Sequence, residues 1–215
     1  MILGLEQYGL AMQVAAVVVP AAVYFLMLGL LNSQRHPQLI KGRTDFILLN
    51  AAFLPIFFVP VVSYLGASSW ALLGTVAALL SLARLLAPRR VGNWVVYNIT
   101  VPEGLRAAER ALRAMGIDYR RDGRRLCLPG QNATIRFSAI PLLRNVSISS
   151  DGPESEEFSR DFEALLGEQL ALIPTCASPT AAAFLLIAVA MLVTPLGLLA
   201  DRMPEMVRLI TNLVR

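Results

Sequence analysis

Residues 10–31 read LAMQVAAVVVPAAVYFLMLGLL, a stretch without one charged side chain. At ~1.5 Å rise per residue, a helix of that length crosses a hydrocarbon layer ~30 Å thick. Three more runs share this character, at about 46–65, 70–87 and 178–200, and none contains an acidic residue. The pattern predicts a polytopic α-helical membrane protein with four transmembrane helices. Residues 1–87 would hold the first three helices and 178–200 the fourth. A polar, Arg-rich segment, 88–175, would form a small α+β cytoplasmic domain inserted between helices 3 and 4.

Composition agrees with a membrane class. Of 215 residues 56% are hydrophobic and only 16% are charged, and the mean hydropathy is +0.60, too apolar for an ordinary soluble domain. The basic residues are all Arg except Lys41, a bias that points to a GC-rich bacterial genome. Glu6 and the lack of any basic residue before the first run argue for a retained span over a cleaved signal peptide. Cys127 and Cys176 are too few for a disulfide framework and read as unpaired small hydrophobes.

Short basic loops stay in the cytoplasm. The first loop carries Arg35, Lys41 and Arg43, the second loop is uncharged, and the third run ends in Arg84, Arg89 and Arg90. The orientation that follows places the first loop and the α+β domain in the cytoplasm and both termini outside a bacterial inner membrane. Three N-x-S/T sequons, at Asn98, Asn132 and Asn145, point the other way. Two of them fall in predicted strands, where a glycan is awkward, so the charge rule prevails.

Ionisable groups at membrane depth would mark a transport path, and these runs offer almost none. Gln13 and Asn50 are the strongly polar side chains at depth and read as interhelical hydrogen-bond partners. Pro20, Pro55, Pro60 and Pro195 kink their helices, which membranes tolerate when neighbours satisfy the freed carbonyls. In the first loop, Arg35, Lys41 and Arg43 suit anionic lipid headgroups. His36, the lone histidine, has no second ligand or partner base and reads as an interface residue.

Within the polar segment, Trp94–Thr100 is aromatic and β-branched and reads as a strand. Pro102 opens a helix that Gly116 stops, with Leu105, Ala108, Leu112 and Met115 on one face and Arg106, Arg110 and Arg113 on the other. Asp122-Gly123 marks a hairpin and Pro129–Asn132 a turn. Strands follow near 134–139 and 145–149, and Glu156–Leu172 closes as a helix with Phe158, Phe162, Leu165 and Leu166 on its apolar face. The order β-α-β-β-β-β-α implies two helices on one face of a mostly antiparallel sheet.

Charge is segregated along this segment. Residues 89–144 carry a net +7 and residues 145–175 a net −6. Arg106, Arg110, Arg113, Arg120, Arg121, Arg124 and Arg125 make up a basic face for a partner or anionic lipid. It has no RNA-binding aromatic motif and no DNA-reading helix, so nucleic acid ranks last among its partners. No phosphate loop, paired CxxC, HExxH or nucleophile elbow occurs, so no catalytic, cofactor-binding or metal-binding residues are assigned. The tail, 201–215, sets Leu209, Ile210 and Leu213 on one arc and its charges on the other, as an amphipathic helix in the membrane interface would.

The sequence thus points to a non-enzymatic membrane-anchored subunit or adaptor of a bacterial assembly. Its partners would be membrane lipids and other membrane or cytoplasmic subunits, in a homo- or hetero-oligomer. A small transporter or channel subunit, or a membrane sensor with a ligand pocket in the polar domain, is the alternative.

Overall fold

The computed structural model describes residues 2–65, 92–152 and 156–200, with isolated positions between 73 and 84. In chain order the elements are α1 (Ile2–Ser33), β1 (Gln38–Lys41), α2 (Gly42–Leu65), β2 (Asn93–Tyr97), α3 (Val101–Ala114), β3 (Arg120–Asp122), β4 (Arg125–Leu128), β5 (Ala133–Ile140), β6 (Asn145–Asp151), α4 (Glu156–Ala171) and α5 (Pro179–Ala200). Short 3₁₀ turns, Pro129–Gln131 and Pro141–Leu143, join β4 to β5 and β5 to β6. The chain divides into two compact units, 1–26 with 49–85 and 185–215, and 27–48 with 86–184.

The second unit is an α+β layer. Its six strands pair antiparallel throughout in the order β1-β2-β6-β5-β4-β3. Alternation along the strands sends Trp94, Val96, Leu126, Ile135, Phe137, Val146 and Ile148 to one face, where they meet Leu105, Ala108, Leu112, Phe158, Phe162 and Leu166 of α3 and α4. Phe162, Leu112, Ile135 and Ile148 are fully buried, each contributing roughly 1.5–3 kcal/mol of transfer free energy. Small residues at the centre of α3 (Gly104, Ala107, Ala108, Ala111) are all buried and let the helix lie close, with the space at Gly104 bounded by Val146 at 3.7 Å.

The ends of α3 follow from its sequence. The Glu103 carboxylate reaches back to the Thr100 backbone N–H at 3.0 Å and accepts from the Thr100 hydroxyl at 2.7 Å. At the other end Gly116 takes φ +69°, with Ile117 N–H donating to the Leu112 carbonyl and Gly116 N–H to the Arg113 carbonyl, both at 3.0 Å. This is the paired-bond stop that glycine permits at a helix C-terminus.

Two features overturn the expected architecture. Among the described residues, two helices are long and apolar enough to cross a membrane, over Gln13–Ser33 and Pro179–Gly197, and not four. The run at 70–87 lies mostly outside the described residues, and the tail with Leu209, Ile210 and Leu213 lies wholly outside them. Nor is the α+β unit simply inserted after a third helix. The first loop supplies its edge strand, β1, with Gln38 opposite Tyr97 and Lys41 opposite Trp94. The reason is physical. A four-residue strand between Pro37 and Gly42 carries too little periodicity to announce itself, and its partner lies over fifty residues away.

The start of α2 belongs to the same unit. A Cβ on Gly42 would lie 3.1 Å from both Cβ and the carbonyl oxygen of Asn93, so the helix begins in tight contact with β2. Three residues on, Asp45 accepts a hydrogen bond from the Tyr97 hydroxyl. In the other unit, the rings of Tyr24 and Phe53 meet edge to face at 5.7 Å, with Ala21, Ala22, Ala52 and Ala188 buried. Small residues of this kind allow apolar helices to approach closely.

Asn98, in the left-handed conformation (φ 59°) just after β2, is fully buried. Its side-chain amide donates to the Gln34 carbonyl and the Thr175 hydroxyl, both at 2.9 Å, and its backbone N–H donates to the Arg144 carbonyl at 2.9 Å. Thr175 N–H donates to the Arg35 carbonyl at 2.8 Å. Both Asn98 and Asn145 are buried, so two of the three sequons are closed to glycosylation in the folded chain.

Asn98→Ala should therefore lose two partly buried hydrogen bonds, at roughly 0.5–1.5 kcal/mol each. Forcing alanine into left-handed backbone adds about 1–2 kcal/mol. Asn132, exposed at φ 49°, supplies the control, since Asn132→Ala should show only the backbone cost. Thermal unfolding of the full chain in mild detergent reads the difference, and equal shifts for the two variants would refute the role of the Asn98 amide.

Candidate functional site

The arginines singled out from the sequence are all exposed, but the fold does not gather them on one surface. Arg106, Arg110 and Arg113 form a stripe along the outer side of α3, opposite its buried alanines and leucines. Arg113 donates through Nε to the Tyr119 hydroxyl at 2.9 Å and lies 5.8 Å from that ring's centroid, a geometry in which the ring stabilises the cation. Arg121 shares its strand face with the buried Leu126 and Ile135, the side that α3 and α4 cover. It pairs there with Glu109 at 3.3 Å.

The remainder lie toward the opposite face of the sheet, at its exposed β3–β4–β5 end, away from the buried Val95 and Tyr97 of β2. Across four strands, Asp122, Arg125, Arg136 and Ser149 stand in one cross-strand row. Arg120 takes the next row with Cys127, Thr134 and Asp151. Arg124, in the β3–β4 turn, lines a shallow open depression with Arg125, Arg136, Asp122, Ser138 and Ser149. Like charges set directly opposite in an antiparallel pair repel, and the Arg136–Asp151 ion pair at 2.9 Å offsets part of this.

Arg136 was missed at the level of sequence. The alternation Thr134, Arg136, Ser138 against Ile135 and Phe137 would have placed it on the polar face, but its neighbour Arg125 emerges only from the strand register.

The first-loop cations also separate. Lys41 reaches Glu163 of α4 at 3.5 Å, while Arg35 and Arg43 are exposed. His36 Nδ1 lies 3.3 Å from the Ile173 carbonyl. Gln13 is exposed on α1 and Asn50 is half-buried on α2. Cys127 is half-buried, Cys176 is exposed, and both are free. Among the described residues no three His, Cys, Asp or Glu side chains converge as a metal ion would require.

Asp45 has a displaced pKa. Burial raises it above the ordinary carboxylate range, and the hydrogen bond from Tyr97 opposes that shift. The carboxylate therefore stands half-buried where α2 meets the sheet. Its surroundings, a helix start and a strand, are structural.

No family model, no curated protein and no solved structure matches this chain.

The burial of Asp45, opposed by its hydrogen bond from Tyr97, gives a signed pH dependence. With the folded pKa raised, the folded state holds the proton more tightly than the unfolded chain. The stability gained on protonation is thus complete below the ordinary carboxylate value and is lost as pH rises through the raised folded value. Asp45→Asn keeps an acceptor for Tyr97 and should flatten this part of the profile, whereas Tyr97→Phe should steepen it. Unfolding midpoints across acidic to neutral pH measure both, and an unchanged profile for Asp45→Asn would contradict the assignment.

Proposed function

We propose that the chain is a non-enzymatic, membrane-anchored adaptor or subunit of a bacterial inner-membrane assembly. Its α+β unit docks a protein partner on the cytoplasmic side. The observation that carries this reading is the exposure of α1 and α5. Their candidate spans are only 28% and 22% buried by the rest of the chain, and Val23, Leu30, Leu186, Val189 and Leu196 are all at least half exposed. A helix apolar around its whole circumference and largely uncovered suits an apolar solvent. A buried core helix of a water-soluble protein would be enclosed by its own chain.

Docking through charge is supported by the Arg106, Arg110 and Arg113 stripe. Its side chains project from a helix whose opposite face is locked into the core, so they are held at fixed spacing on a rigid element. The exposed charged residues of α4 are mostly acidic, Glu156, Glu157, Asp161 and Glu168 against Arg160. The unit therefore offers a basic helix beside an acidic one, and a partner must match both signs. That dipolar pattern favours a protein partner over a uniformly anionic surface at this face.

Three experiments check this reading. The chain should remain with the membrane pellet after an alkaline carbonate wash, and its release into the supernatant would end the anchoring hypothesis. In a chain lacking Cys127 and Cys176, a cysteine at the exposed Gly130 should resist membrane-impermeant reagents in intact cells. Ready labelling there would reverse the orientation. Replacing Arg106, Arg110 and Arg113 together by Glu should leave thermal unfolding nearly unchanged, since exposed ion pairs contribute only ~0–1 kcal/mol. The same variant should lose co-purifying partner subunits from native membranes.

A further inference from the structure

Outside its apolar helices, the α+β unit keeps its large hydrophobic side chains covered, with three described exceptions. Ile140 is 51% exposed, Leu142 73% and Leu172 68%. They come from different elements. Ile140 ends β5, Leu142 lies in the 3₁₀ turn between β5 and β6, and Leu172 follows α4.

The three residues nevertheless lie close to one place. Arg144, directly after the β5–β6 turn, gives its carbonyl to Asn98 N–H, and the Asn98 amide grips Gln34 and Thr175. Ile173, next to Leu172, gives its carbonyl to the His36 ring. Gln34 directly follows the last residue of α1, and Thr175 stands four residues before the start of α5. The exposed apolar side chains therefore surround the end of the sheet where the chain arrives from one candidate span and departs toward the other.

We propose that this end of the α+β unit seats on the bilayer itself, with Ile140, Leu142 and Leu172 immersed at the headgroup boundary. The inference rests on the membrane-anchored reading and adds a lipid-contacting surface to it. The partner is the lipid because the two helices that would enter the bilayer join the unit here, so the surface continues an apolar path already begun. Charge agrees. Arg35 is exposed and Arg144 half-exposed beside these residues, and both can reach headgroup phosphates while the apolar side chains sink below. The turn geometry holds the tip outward, since Pro141 begins the 3₁₀ turn and Arg144 closes it with left-handed backbone at φ 47°. Interfacial apolar side chains of this kind reach about 5–10 Å into the headgroup and acyl boundary.

The test uses the full chain, with Cys127 and Cys176 replaced by Ser, in vesicles of phosphatidylcholine and phosphatidylglycerol. An environment-sensitive fluorophore is placed in turn on Leu142→Cys, Leu172→Cys, Val189→Cys and Gly130→Cys. Gly130, in the turn at the opposite end of β5, has open space around its Cα and ordinary backbone. Nitroxides carried at shallow or deep positions of the lipid chains report depth. Probes at Leu142 and Leu172 should shift to the blue and lose emission to the shallow quencher more than to the deep one. Gly130 should remain water-like and unquenched, and Val189 should be quenched by lipid at depth. Water-like emission at Leu142 and Leu172, with Val189 quenched, would overturn the seating surface and leave the anchoring intact. A blue shift at Leu142 without lipid quenching would overturn it in favour of a protein contact. Absence of quenching at Val189 would defeat the anchoring and this inference with it.

Discussion

The amide of Asn98 binds backbone and side-chain oxygens 64 and 77 residues away in sequence. Few single groups could satisfy that geometry. The residue needs left-handed backbone to turn the chain out of β2, which asparagine tolerates better than most. It also needs a short carboxamide whose two N–H groups reach Gln34 and Thr175 together. Because the Asn98 side chain is itself fully buried, leaving its amide unpaired would carry a desolvation cost. The path from α1 into β1, the exit of β2, the return through Arg144 into β6 and the approach to α5 are thereby fixed at one end of the sheet. The position of the exposed apolar residues at that end is a consequence of the same knot.

Edge-strand recruitment follows the same logic. Without β1, β2 would present an unpaired edge, an open template for association. Pairing Gln38–Lys41 with Trp94–Tyr97 covers it with a segment from near the start of the chain. The tie is reinforced by Lys41 reaching Glu163 and by Asp45 meeting Tyr97. Gly42 permits the sharp change from strand to helix, because any side chain there would press on Asn93. The other edge, β3, is only three residues long, all of them exposed and charged, which discourages further pairing.

Charge segregation along the chain becomes something different in space. The arginines of 106–125 divide among the outer side of α3, the helix-covered face of β3 (Arg121) and the opposite face at the β3–β4–β5 end, where Arg136 joins them. A helix places basic residues at intervals of three and four on one side, but a strand sends alternate residues to opposite faces. Arg120 and Arg121, adjacent in sequence, therefore part company, and Arg121 meets Glu109 while Arg120 does not share its face.

Much of the α+β unit was legible in the sequence because its signals are local. Pro102 and Gly116 bracket a helix, Asp122-Gly123 turns a hairpin, and Phe158, Phe162 and Leu166 repeat at helical spacing. Apolar length was legible too, but length alone does not say what covers a helix, and four apolar runs became two candidate spans among the described residues. Tertiary structure decided the rest. The register that aligns Arg125 with Arg136, the recruitment of β1, and the burial of Asn98 and Asp45 all depend on contacts between segments fifty or more residues apart, or on strand pairing that no one segment encodes. Short stretches such as Gln38–Lys41 carry no periodicity of their own. Their structure exists only in the hydrogen bonds and packing that a distant partner supplies.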